Sequence, residues 1–254
     1  MTRNQSVDLQ PWAQRGVALT DLTTTARVTG GWYLGLAISG MLGFLLLRPA
    51  IYVEGDPAAT LSSLTDKEGL AHLAVFLEMT IVVTQALVAL WFYKLLRTVH
   101  PVAGVSVAAF GLINAVAIMG SAVCVATAVA VAGDASLAPG GDAAATVGLL
   151  FQLSNDFWGI GAVFFGLWLI PMGWAAVATD RFPRVLGWVL IVGGVGYMLS
   201  ALVDYGLVDA PRLLVDGLAF PATIGEFWML GYLLFRGIRP EPALMPSEPA
   251  DAPQ

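Results

Sequence analysis

The sequence predicts an all-α integral membrane bundle of six transmembrane helices, with both termini in the cytoplasm. Three observations predict it. Apolar residues make up 57% of the chain and charged residues only 12%, about half the charge fraction of a soluble domain. Long stretches are apolar all round, where a soluble helix would keep one polar face. Basic residues crowd the ends of those stretches on one side only, as expected of cytoplasmic ends.

The chain opens with a polar segment, residues 1–26, carrying Asn4, Gln5, Asp8, Gln10, Gln14 and Asp21. It is too long and too polar for the start of a signal peptide, so the first apolar run is expected to be an uncleaved membrane helix. Six spans follow, at roughly 28–47, 69–93, 103–132, 144–176, 184–204 and 218–235. Each meets the about 17–25 residues needed to cross a bilayer. The third and fourth are long enough to tilt or project, and Pro171 gives the fourth a place to kink. The transmembrane domain is assigned to 27–237. The remainder, 238–254, holds five prolines and reads as a disordered cytoplasmic tail.

Several helix starts are written locally. Asp56-Pro57 places a capping carboxylate before a proline suited to a first turn, which predicts a short interfacial helix over 57–64. Thr65 and Glu68 have capping-box spacing at the second span. Gly140-Gly141-Asp142 breaks the chain and caps the fourth span, and Phe220-Pro221 is expected to start the sixth.

Orientation follows from nine basic residues against three. Arg3, Arg15, Arg27, Lys94, Arg97, Arg181, Arg184, Arg236 and Arg239 fall on one side; Arg48, Lys67 and Arg212 fall on the other. Trp32, Tyr33, Trp91, Tyr93, Trp174, Trp188 and Tyr232 are expected in the inner headgroup layer, Tyr52 and Tyr205 in the outer. Gly31, Gly35, Ser39 and Gly43 recur on one face of the first helix, and Gly187, Gly193, Gly194 and Gly196 crowd the fifth. Such stripes let helices approach closely, either within the bundle or as the seam of a homo-oligomer.

Phe164-Phe165-Gly166-Leu167-Trp168-Leu169-Ile170-Pro171-Met172-Gly173-Trp174 is followed by Phe182-Pro183-Arg184-Val185-Leu186-Gly187 and by Gly193-Gly194-Val195-Gly196-Tyr197. Ala26-Arg27-Val28-Thr29-Gly30, Gly55-Asp56-Pro57-Ala58-Ala59-Thr60 and Gly225-Glu226 complete a series in fixed order. The series resembles a bacterial membrane family known as domain of unknown function 4386, over most of residues 26–237. The resemblance implies a multi-helix protein of the bacterial cytoplasmic membrane. It brings no settled activity, so no catalytic residue is carried over.

Chemistry is sought among acids inside the apolar spans: Glu78, Asp156 and Glu226. An ionisable group at mid-membrane costs about 2.5–3.5 kcal/mol on insertion scales and usually faces the bundle interior. Gln85 shares a helix face with Glu78. Gln152 stands one turn before Asp156, with Asn155 beside it. Asn114, Ser121, Tyr197 and Ser200 could join from intervening helices. These six residues, Glu78, Gln85, Gln152, Asn155, Asp156 and Glu226, outline an acidic intramembrane pocket for a small molecule, cation or proton. In the alternative reading they are structural, in a membrane scaffold or sensor, with the acids protonated and bonded to amides.

Other classes are disfavoured. No basic patch for nucleic acid is present. His72 points away from Glu78, His100 precedes Pro101 in a loop, and Cys124 is the only cysteine, so no metal site or cofactor is expected. No Gly-x-Ser-x-Gly elbow, phosphate loop or dinucleotide fingerprint appears. Membrane lipid is the one partner that composition requires.

Overall fold

Apolar surface that no other helix covers must meet lipid, and this surface is extensive. Leu45, Phe76, Val102, Val116 and Val185 are each 60–71% exposed, among many large apolar side chains left uncovered on all six spans. The computed structural model describes residues 11–239, with side chains described from 21 onward. Within that range six helices are long and apolar enough to cross a membrane, and the chain is a multi-pass membrane protein.

Helix α1 (Pro11–Gly40) passes through a π-helical segment, Met41–Leu47, into α2 (Arg48–Ile51). A short helix α3 (Pro57–Asp66) follows. The remaining spans are α4 (Glu68–Leu96), α5 (Pro101–Gly133), α6 (Ala143–Ala178), α7 (Arg184–Gly206) and α8 (Arg212–Phe235). Each span packs on its successor in sequence, and α8 returns to α1, so the six form a closed ring. The α2–α3 connection, α3 and the α5–α6 and α7–α8 connections share one end of the bundle, here termed the α3 face.

Local signals explain many boundaries. Asp56 caps α3 by accepting from Ala59 N (2.9 Å), and Asp142 caps α6 by accepting from Ala145 N (2.9 Å). Gly140 and Gly141, at φ 69° and 77°, supply the left-handed backbone that turns the chain into α6. Asp134, outside the spans, accepts from Ser136 N (3.0 Å), and its carboxyl is held below the usual range by hydrogen bonds from Ser136.

Three expected boundaries are corrected. The Thr65–Glu68 capping box does not form: Thr65 lies inside α3 and bonds Leu61 O (3.0 Å), and Lys67 instead breaks the chain with ψ at 42°. Phe220-Pro221 does not start the sixth span. That helix begins at Arg212 and runs through Pro221, since neighbouring helices make an internal proline tolerable in a bundle. Pro171 likewise lies within a continuous α6. Ile238, counted with the tail from sequence, is buried, and Arg239 N bonds Arg181 O (3.0 Å). The proline-rich stretch from 240 and the first ten residues lie outside the described residues.

Aromatic packing fills the ring away from the α3 face. Trp168 is fully buried, with Tyr33 and Phe92 meeting it edge-on at centroid distances of 5.8 Å. Tyr33, expected at the headgroup layer, is thus a core residue. The closest packing joins α6 to α7. A Cβ placed on Gly166 would stand 2.6 Å from Gly194 O, and one on Gly194 2.6 Å from Gly166 O. One heptad away, Gly173 and Gly187 oppose each other in the same manner, at 2.5 and 2.7 Å. The expected crowding of α7 is therefore an intramolecular seam. On the stripe of α1, Gly35 and Gly43 make ordinary contact with Thr84 and Leu77, whereas Gly31 meets nothing within 4 Å.

Candidate functional site: a buried ion cluster and two adjoining cavities

The first span does not end at residue 47. Its wider π turn is closed by the bond from Arg48 N to Gly43 O, a geometry that is rare and concentrates at functional positions. The turn leaves Leu45 and Leu46 facing outward, at 64% and 62% exposure, while Arg48 emerges inside at 8%. Arg48, read from sequence as an outer-loop charge, is therefore a buried one. Its guanidinium lies between the rings of Phe44 and Phe151, 5.6 and 5.8 Å from their centroids.

Arg48 organises a closed hydrogen-bond circuit. Nη1 donates to Glu78 Oε1 (3.1 Å); Nη2 donates to Ser154 Oγ (2.9 Å) and Asn155 Oδ1 (2.6 Å). Ser121 Oγ donates to Glu78 Oε2 (3.0 Å) and stands 2.7 Å from Ser154 Oγ. With the Ser121 proton committed to Glu78, Ser154 must be the donor of that last bond. The circuit ties α2, α4, α5 and α6 together and leaves neither oxygen of Glu78 unmatched. Asn155 Nδ2 extends it to Tyr52 Oη (3.4 Å), whose ring stacks on Phe151.

Beside the cluster, on the α3 face, lies an open vestibule of about 1190 Å³. Arg48, Asn155, Gln152 and Asp156 line it, with Glu54, Asp204, Asp216 and Arg212. Asp156 accepts from Gln152 Nε2 (3.1 Å) and Tyr205 Oη (3.2 Å), and Arg212 pairs with Asp204 (3.1 Å). Both arginines of the vestibule thus have acidic partners, and the acids Glu54, Asp156 and Asp216 are in excess.

A second cavity, of about 320 Å³, adjoins the vestibule, and its rim includes Met41, Leu45 and Phe227, which are 40%, 64% and 51% exposed. Glu226 and Gln85 line it together with Tyr33, Asn114, Phe165 and Leu230. Tyr33 Oη donates to Glu226 Oε1 (2.7 Å). Gln85 is fully buried and donates through Nε2 to Gly111 O (3.4 Å), while its Oε1 has no partner. Phe44, Trp158, Ala162 and Tyr197 line both cavities, so they form the wall between them. Phe44 and Trp158 meet across that wall at 5.3 Å.

The structure therefore divides the six sequence-selected residues rather than gathering them. Glu78 and Asn155 belong to the Arg48 circuit. Gln152 and Asp156, with Asn155, face the vestibule. Gln85 and Glu226 face the inner cavity. Sequence reasoning missed Arg48, Ser154, Tyr33 and the Phe44–Trp158 wall. Only Arg48 left a signal: one basic residue directly at the end of an apolar run, within reach of an otherwise unpaired acid on the next span.

Comparison with known proteins agrees with the fold. No curated protein and no solved structure matches the chain. The profile of one family, described as a domain of unknown function (DUF4386), matches residues 28–237, a stretch that begins within the first spanning helix and ends just past the sixth. With the ring of six apolar helices and this match over most of its length, the chain belongs to the DUF4386 family.

Proposed function

We propose that this protein binds a small molecule or ion inside the bundle and serves its passage across a bacterial cytoplasmic membrane. The observation that carries the reading is the pair of adjoining cavities, an acid-rich vestibule and an inner chamber holding Glu226, which share four lining residues. A carboxyl in a chamber among apolar helices is costly unless something uses it. The alternative reading, a scaffold whose acids are structural, is favoured for Glu78 alone, because both its oxygens are matched within the protein.

The vestibule faces outward in this reading, and both termini are cytoplasmic. The distribution of exposed basic residues supports it. With Arg48 buried, the exposed basic residues of the α3 face among the described residues are Lys67 and Arg212, and Lys67 is bonded to Ala50 O (2.8 Å). Reporter fusions at Gln254 and at Pro139 should report opposite sides of the membrane, with Gln254 inside; an external signal from Gln254 would invert the pathway.

Access is tested at Ala162, the small residue shared by both cavities. In a Cys124→Ala background, Ala162→Cys should react with a cationic, membrane-impermeant methanethiosulfonate added outside intact cells. Complete protection in cells and in inverted vesicles alike would mean a sealed bundle and would leave the scaffold reading standing. Labelling from inverted vesicles only would keep the cavity and overturn the orientation.

A further inference from the structure

The inner chamber offers negative charge and acceptors without a positive counterpart. No Lys, Arg or His is among the residues that line it. Glu226 has one hydrogen-bond donor, Tyr33. Gln85, at 0% exposure, leaves Oε1 unpartnered, the costly state for a buried acceptor. Apart from the Asn114 amide, the rest of the lining is apolar or aromatic, and ring faces attract cations, most strongly where water is excluded. Quaternary ammonium groups are recognised in aromatic cages on this principle.

We infer that the inner chamber takes a small organic monocation, an alkyl- or aryl-ammonium compound, with its charged group at Glu226 and Gln85 and its apolar part against the aromatic wall. This deepens the binding reading above and rests on it. The size agrees: about 320 Å³ lies at the small end of ligand pockets, which run from about 300 to 1,000 Å³. A divalent metal fits poorly. Calcium takes about six to eight oxygen ligands, whereas the chamber has one carboxyl, and among the described residues no three of His, Cys, Asp or Glu group closely enough to hold a metal ion. An anion is excluded by the same one-signed lining.

The test compares two probes of equal shape on the full chain in lipid nanodiscs, corrected for partition into empty discs. Benzyltrimethylammonium carries a fixed charge; neopentylbenzene is its neutral isostere. Wild-type protein should bind the cation at least about tenfold more tightly than the isostere, the scale of a desolvated cation–aromatic and ion-pair preference. Glu226→Gln should weaken the cation by at least about tenfold and leave the isostere unchanged, while Glu226→Asp stays within about fivefold of wild type. Equal binding of both probes to wild type, or a cation affinity indifferent to Glu226→Gln, would overturn the ligand class while the cavity remains a binding site. Binding of neither probe would remove the binding reading itself. If Glu226→Gln does not fold, the two-probe comparison on wild type and Glu226→Asp still decides.

Discussion

Replacing Arg48 with Met should cost about 3–5 kcal/mol of stability, the range for leaving one member of a buried ion pair without its partner. The reason is the company Arg48 keeps. Arg48 and Glu78 have side chains only 10% and 9% exposed, so removal of the guanidinium strands a carboxylate among apolar helices. Ser154 and Asn155 lose their donor in the same step. Glu78→Gln should be milder, because the amide can still accept from Arg48 or Ser121. The informative measurement is a double-mutant cycle by reversible unfolding in mixed micelles. Arg48→Met with Glu78→Met removes both charges, and a buried pair replaced by apolar residues is often close to neutral. The double variant should therefore be more stable than Arg48→Met alone, with a coupling of about 2–3 kcal/mol. Strict additivity would show that the two charges do not depend on one another and would remove the circuit as the keystone of α2, α4, α5 and α6.

Gly194→Ala should destabilise the bundle by about 1–3 kcal/mol, the range for overfilling a packed interior, and Gly194→Leu should abolish a monodisperse folded form. The added Cβ meets Gly166 O at 2.6 Å. That atom is backbone, so the clash can be relieved only by separating α6 from α7. Gly31→Ala makes the control. Nothing lies within 4 Å of its Cβ, and alanine is the better helix former by about 1 kcal/mol, so this substitution should leave the melting temperature unchanged or raise it. Thermal unfolding followed by circular dichroism separates the two. Equal melting temperatures for Gly194→Ala and wild type would show that the α6–α7 seam is looser than its geometry indicates.

The glycines illustrate how far sequence carries. The excess of small residues on α7 is visible in the chain, and with it the expectation of close approach. Which glycine opposes which is not visible, because it depends on the vertical offset of two antiparallel helices. The offset that pairs Gly166 with Gly194 and Gly173 with Gly187 follows from packing over their whole length. The stripe on α1 shows the converse: the same spacing, yet Gly31 has no partner.

The acids divide along the same line. Glu78, Asp156 and Glu226 stand out in sequence because charge is rare in apolar spans, and solvation energy makes that inference local. Their separate surroundings are not local properties. Glu78 is matched because a π turn brings Arg48, thirty residues earlier in the chain, inward, and the hydrophobic pattern of Met41–Leu47 is the same in α and π form. Glu226 faces a chamber because Tyr33, 193 residues away, reaches it when α8 closes the ring on α1.

The sequence by itself determined that this chain crosses a membrane six times, since transfer of about twenty apolar residues into lipid is a sum over single side chains, indifferent to what lies next to what. It also determined the caps at Asp56 and Asp142 and the break at Gly140-Gly141, each a matter of neighbours within one turn. The tertiary structure alone decided that α8 meets α1, that Arg48 lies inside, and that the polar residues fall into a circuit, a vestibule and a chamber. Those outcomes depend on side-chain directions from helices far apart in the chain, and pairwise geometry of that kind is fixed only once every helix has found its neighbours.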